Sequence, residues 1–152
     1  MGTNKSAGQN EDEIRKRIQE YTSGSALRAW EYMGAHRAEQ AGADSYTFRV
    51  WAPHARAVSL VGDFNRWEEG AAPLSPIGGG LWEATVSGLK RYDIYKYAIQ
   101  TADGRTVLKA DPYAFHAETR PGTASKLYEL GGYQWNDQSW LNYRRANPVY
   151  HR

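Results

Sequence analysis

Apolar and polar positions alternate in blocks along this chain, and the period of the alternation changes near residue 46. Before it, Ile14, Ile18 and Tyr21 recur at helical spacing, which predicts one amphipathic helix from Asn10 to about Tyr21. Asn10 is a capping residue, and Glu13 three positions on completes a capping-box pattern. Thr22-Ser23-Gly24-Ser25 breaks that helix. Ala26 to Met33 predicts a further turn or two that Gly34 ends. Residues 1–10 are polar and Gly-containing and read as a disordered lead, so residues 11–45 form a short helical and irregular segment.

From Tyr46 the period becomes two. Tyr46-Thr-Phe-Arg-Val-Trp-Ala52 alternates, is rich in β-branched and aromatic residues, and stops at Pro53. Ala57 to Gly62, Leu81 to Val86 and Asp93 to Gln100 predict three more strands. Asp103-Gly104 is a hairpin signal, so Arg105 to Lys109 returns antiparallel. Lys126 to Leu130 reads as the last strand. In the fourth strand Tyr95, Tyr97 and Ile99 share one face, while Lys96 and Ala98 share the other. Short strands separated by turn signals predict an all-β sandwich over 46–130, preceded by a short N-terminal helical segment. The stretch 131–152 is rich in Trp and Tyr with Asn and Asp between. It reads as an extended linker lying on a surface, and its end at Pro148-Val-Tyr-His-Arg152 looks like a truncation.

Composition narrows the function classes. The net charge is only +2, and the short runs Arg15-Lys16-Arg17 and Arg144-Arg145 form no concentrated basic face, so nucleic acid is not an expected partner. No apolar run approaches the roughly 20 residues of a membrane span. The chain has no cysteine, which excludes disulfides and thiolate metal sites and fits a cytoplasmic location. No nucleophile elbow, zincin helix or phosphate-binding glycine loop is present. Gly78-Gly79-Gly80 reads as a hairpin turn. His36, His54, His116 and His151 are dispersed, and carboxylates such as Asp63, Asp103, Asp111 and Glu118 sit where turns or caps employ them. Neither a cofactor nor a metal is expected.

Two features point to binding. Gly62-Asp-Phe-Asn-Arg-Trp67 follows an apolar strand and precedes a polar loop: Gly62 permits a tight bend, Phe64 turns into the core, and Trp67 lands among Glu68 and Glu69 with its ring exposed. Tyr95-Lys96-Tyr97 puts a cation on the polar face of a strand. A pyranose has an apolar C–H face and a hydroxyl rim; an indole stacks on the first, and Lys and Asn hydrogen-bond the second. Trp67, Asn65 and Lys96 supply those elements. The competing reading packs Trp67 on another domain and leaves Lys96 solvated.

Several motifs also carry a family likeness. Gly34-Ala-His36, Phe48-Arg-Val-Trp-Ala-Pro53, Val61-Gly-Asp-Phe-Asn-Arg-Trp67, Tyr95-Lys-Tyr97, Lys109-Ala-Asp-Pro-Tyr-Ala-Phe115, Glu118-Thr-Arg-Pro121 and Thr123-Ala-Ser125 resemble the amino-terminal region of 1,4-α-glucan (glycogen) branching enzymes over residues 22–150. The second and third of these are shared with carbohydrate-binding module family 48, found also in debranching enzymes. The resemblance implies an immunoglobulin-like sandwich placed ahead of a (β/α)₈ barrel that carries the catalytic carboxylates, so this chain alone is not an enzyme. It implies α-1,4-glucan chains and that barrel as partners. Trp67 looks like the first of two Trp platforms in related glycogen-binding modules, and Lys96 like their lysine. The second Trp belongs a few residues before Asp111-Pro112, where this chain has Arg105-Thr-Val-Leu-Lys109 and no aromatic. Two alternatives stand beside glucan binding by a branching-enzyme module: a structural domain that packs on the barrel without holding sugar, and the equivalent module of a debranching enzyme.

Overall fold

Alternation over Tyr46–Trp51 produces a strand with Tyr46, Phe48 and Val50 buried and Thr47, Arg49 and Trp51 on the opposite face. In the computed structural model of the chain, which describes residues 4–38, 41–42 and 44–148, this strand is β2. Around it lie β1 (Gly34–Arg37), β3 (Ala57–Gly62), β4 (Ala72–Pro73), β5 (Ser75–Gly78), β6 (Leu81–Val86), β7 (Ile94–Gln100), β8 (Thr106–Lys109), β9 (His116–Ala117) and β10 (Ser125–Lys126). Among the described residues the strands form two antiparallel sheets, one in the order β1-β2-β6-β5 and the other β4-β3-β7-β10-β9, with β8 also paired to β7. The outer edge of β7 is shared: Ile94 and Tyr95 face β10, and Tyr97 to Gln100 face β8.

The inner faces meet in one aromatic core. Tyr46, Phe48 and Val50 of β2 pack with Val58 and Leu60 of β3, Tyr95 and Tyr97 of β7, and Leu74, Leu89 and Leu127 from the connections. Phe48 and Tyr95 meet edge to face with ring centroids 5.1 Å apart. Each such buried side chain contributes about 1.5–3 kcal/mol relative to exposure. The expected all-β sandwich is the architecture found, and its first sheet also takes in β1 (Gly34–Arg37), which lies in the 11–45 stretch expected to be helical and irregular.

The helix α1 (Asn4–Thr22) lies against the other face of the first sheet. Ile18 and Tyr21 join a second cluster with Ala29, Tyr32, Met33 and Leu81, and the Tyr21 ring lies 6.2 Å from Trp51. The apolar stripe therefore docks on the body as its spacing predicts. The helix starts six residues before Asn10, so the lead expected to be disordered over 1–10 is helical from Asn4. Once a helix is anchored by packing, each added residue gains a backbone bond at little further entropic cost.

Other expectations shift as well. Ala26 to Met33 holds a single 3₁₀ turn at Ala29–Glu31, because Gly34 at φ 86° leads straight into β1. The last strand is Ser125–Lys126, shorter and earlier than 126–130. The tail expected to be extended contains α2 (Gln138–Ala146). Its support is local: Gln138 Nε2 donates to Asn142 Oδ1 at 3.0 Å, Arg144 stacks over Trp140 at 5.1 Å, and Arg144 and Arg145 suit the negative end of the helix dipole. His151, in the sequence stretch read as a truncated end, falls outside the described residues. No described helix is long and apolar enough to cross a membrane.

Candidate functional site

β3 and β7 pair with Gly62 opposite Tyr95, Val61 opposite Lys96 and Ser59 opposite Ala98. Directly opposed residues share a face. Leu60 and Tyr97 therefore face the core, while Val61, Lys96, Ser59 and Ala98 form a row on the opposite face, where Val61, Ser59 and Ala98 are themselves buried. β8 extends that row, because Leu108 lies opposite Ala98 and Thr106 opposite Gln100.

At the end of β3 the chain enters a 3₁₀ turn, Asp63–Asn65, and then two consecutive left-handed residues, Arg66 at φ 56° and Trp67 at φ 59°. Non-glycine residues adopt this region at a cost, so the surroundings must hold it. Asn65 does much of the holding. Its Oδ1 accepts the Gly62 N–H at 2.9 Å, and its Nδ2 donates to the Leu60 carbonyl at 2.9 Å. The Trp67 N–H donates to the Gly62 carbonyl at 2.9 Å, and the indole Nε1–H donates to Asp63 Oδ1 at 2.8 Å. Trp67 is half-buried and held through both its backbone N–H and its indole N–H. Phe64 packs against the core cluster, as its apolar character predicts.

Gly62 serves a different purpose from the tight bend expected of it. Its φ is −179°, an extended value open to any residue. What requires glycine is crowding: a Cβ here would meet the Ile94 carbonyl oxygen at 2.2 Å and Phe64 Cε1 at 2.5 Å.

The ammonium of Lys96 lies on the same outer face and donates to Thr123 Oγ1 at 2.6 Å. The register thus brings Lys96 across from Val61, next to the Gly62 that bonds Trp67, so the three residues singled out in the sequence converge on one end of the β3–β7 ladder. Two further residues escaped sequence reading. Leu108 is 46% exposed on the outer face of β8, and stands where the second aromatic platform was looked for. Thr123 engages Lys96 from 27 positions away. The spacing of Thr106 and Leu108 carried a signal for the first, through strand alternation; the second depends on tertiary placement. Beside the row runs a shallow groove of about 220 Å³ lined by Ser59, Glu69, Gly70, Pro73, Ala98 and Gln100.

Under the core face of the same strand lies a buried carboxylate. Asp111 Oδ2 accepts hydroxyl protons from Tyr95 at 2.7 Å and Tyr97 at 3.3 Å, Oδ1 accepts the Tyr113 N–H at 2.9 Å, and its own N–H donates to Ser125 Oγ at 2.8 Å. Burial pushes its pKa above the ordinary carboxylate value, opposed by the hydrogen bonds it accepts. Burial and this carboxylate push both tyrosine hydroxyls upward as well. The network is buried and ties both tyrosines of β7 to Asp111.

Comparison with known proteins gives three results. A family model described as Carbohydrate-binding module 48 (Isoamylase N-terminal domain) matches residues 32–114. Curated relatives include a 1,4-alpha-glucan branching enzyme of Oleidesulfovibrio alaskensis, 51% identical over 118 residues, covering 76% of this chain and 18% of the relative. A 1,4-alpha-glucan branching enzyme of Bacillus caldolyticus is 45% identical over 131 residues, covering 86% and 20%. This chain therefore spans about a fifth of the length of such relatives. Among solved structures, a pullulanase from an Anoxybacillus species, complexed with maltotetraose, superposes with a TM-score of 0.54 at 27% identity, over 65% of this chain and 14% of that one.

Proposed function

This chain belongs to the carbohydrate-binding module 48 family, and on that premise we propose that it is the α-glucan-holding module of a 1,4-α-glucan branching enzyme. Its ligand on this reading is a linear α-1,4-glucan segment, and its partner is the catalytic barrel of the same polypeptide. The single observation that carries the reading is the pinned Trp67: a half-buried residue held by its backbone N–H and its indole N–H on a left-handed loop, at the end of the β3–β7 ladder where Lys96 stands.

The roles differ from residue to residue. Trp67 offers an apolar plane for the C–H face of a glucose unit. Lys96 and Thr123 offer a donor pair for hydroxyls. Leu108 extends the apolar strip without an aromatic ring. Asn65 acts as a positioning residue, since its amide already bonds the backbone of Leu60 and Gly62 on both sides. A single aromatic platform contributes on the order of 1 kcal/mol beyond area burial. After association costs, binding of an isolated oligosaccharide falls near millimolar strength. Tethering to a barrel that acts on a long polymer makes such weakness useful, because local concentration replaces affinity.

A second reading has its own support. Tyr133 and Trp135 of the tail are 72% and 78% exposed, with ring centroids 4.9 Å apart, as expected of residues that pack on a neighbouring domain. Titration of the chain with maltoheptaose separates the two. Glucan binding predicts a saturable shift of the Trp67 indole signal that Trp67→Ala abolishes while the fold is kept. A Trp67 signal unmoved at tens of millimolar sugar leaves only the packing role.

A further inference from the structure

Away from Trp67 and Lys96 lies a larger groove, about 400 Å³, lined by Trp30, His36, Phe115, Tyr128, Leu130 and the carboxylates Glu31 and Glu129. It shares no lining residue with the outer row of β3, β7 and β8, and its size falls in the range of small-molecule sites. Its walls are largely aromatic. Phe115 is the hub: the Trp30 ring meets it edge-on at 6.5 Å and the His36 ring at 5.9 Å. Trp30 is 44% exposed.

The polar edges of these rings are uncommitted. Trp51, Trp67 and Trp82 each donate their indole N–H to a protein oxygen. Among the described residues Trp30 Nε1 has no such partner, nor has the Tyr128 hydroxyl. His36 Nε2 lies 2.8 Å from the Met33 carbonyl, which can only accept, so Nε2 donates and Nδ1 is left as the acceptor of the neutral ring. The charges, by contrast, are spent. Glu31 pairs with Arg28. Glu129 accepts the Tyr46 hydroxyl and faces Arg37 at 3.7 Å and Arg91 at 3.8 Å. Both carboxylates of the groove thus have guanidinium partners, Glu129 two of them, and Arg91 also lies over the Tyr128 ring at 4.2 Å; an aromatic groove with free donors and acceptors and no unpaired carboxylate suits a polyhydroxylated ligand with an apolar face.

We infer that this groove is a second α-glucan contact, with Trp30 as its platform and His36 Nδ1 and the Tyr128 hydroxyl as its hydroxyl partners. The inference rests on the glucan reading above and adds a site to it.

The test uses the full 152-residue chain labelled with 5-fluorotryptophan, its six fluorine signals assigned by single Trp→Phe variants and followed during titration with maltoheptaose. Separate saturable shifts of Trp30 and Trp67 are expected. Trp30→Ala should leave the Trp67 curve unchanged and weaken retention on immobilised amylose roughly five- to tenfold, the worth of one stacking ring. Trp30→Phe keeps the plane and loses the donor, so intermediate retention is expected. A Trp67 shift with Trp30 unmoved overturns the second contact and leaves the groove to a protein surface, while the first reading stands. Both signals unmoved overturns the two together. Unperturbed Trp51 and Trp82 signals in Trp30→Ala certify that its fold is intact.

Discussion

Gly62 and Asn65 sit three residues apart in one motif, and neither does what its residue type first suggests. Gly62 is there because the Ile94 carbonyl would lie 2.2 Å from any Cβ, and Asn65 because two backbone groups of β3 need its amide. Sequence alone exposed the motif, since an apolar strand followed by Gly-Asp-Phe-Asn-Arg-Trp has few other uses. It did not expose the division of labour, which depends on what β7 brings alongside. Asn65→Ala leaves the buried Gly62 N–H and the Leu60 carbonyl without these partners, at about 1 kcal/mol for each bond. Unfolding in urea should show a loss of about 2 kcal/mol. Because the left-handed pair Arg66 and Trp67 would relax, glucan binding should fall as well, although Asn65 touches no sugar in this scheme. Asn65→Asp keeps the acceptor for Gly62, so it should recover part of the stability; equal losses in both variants would deny the amide its positioning role.

Strands with clean alternation were legible; elements that depend on partners were not. β2, β3 and β6 fall where period-two patterning places them, whereas β1, β4, β5 and β9 are short pieces whose existence is set by the strand beside them. α2 spans only nine residues, so the i, i+3 spacing of Trp140 and Tyr143 is too short a pattern to stand out from the Asn, Asp and Arg around it. β7 shows how an element acquires a property that no single residue announces. The two tyrosines on its core face both donate to Asp111, and burial holds both hydroxyls well above their ordinary value. In the unfolded chain they ionise near pH 10. Above that pH the native state binds more protons than the unfolded one, so stability falls as pH rises. The contribution is fully present below about pH 10. Each hydroxyl adds a slope of about 1.4 kcal/mol per pH unit above it. Asp111 behaves in the same sense in the acid range, since its raised pKa favours the protonated native state and that contribution is lost as pH rises through it. Urea midpoints measured from pH 8 to 12 should stay level and then drop, and Tyr95→Phe should make the drop shallower. A midpoint still level at pH 12 would show that these hydroxyls ionise without unfolding.

At the scale of the molecule the charge pattern sorts ligands more sharply than any one residue does. The chain carries 19 basic and 17 acidic residues, a net charge of +2, and much of the charge on its surface is paired locally. A cationic face for a polyanion would have shown as a cluster of unpaired Lys and Arg. Instead Arg37 and Arg91 sit beside Glu129, while Lys96 keeps its charge and donates to the neutral Thr123 hydroxyl. This much was legible from composition, because near-neutrality with only short basic runs already argued against nucleic acid. The roles of the other aromatics were not, because Trp30, Trp135 and Trp140 look alike in sequence. Only the fold separates a pinned ring, a groove wall and the open rings of the tail. The consequence is measurable as salt dependence. A protein that neutralises several phosphates loses orders of magnitude in affinity between 50 and 200 mM salt, because bound counterions are released. A neutral glucan has no counterions to release, and stacking on indole is unscreened. Affinity for maltoheptaose measured from roughly 50 to 500 mM NaCl should therefore change by less than about twofold, since the one ammonium in the Trp67 site acts as a hydrogen-bond donor at contact distance. A steep decline with salt would mean that salt anions compete with the sugar for Lys96, and the picture of a binding surface dominated by stacking on Trp67 would fail with it.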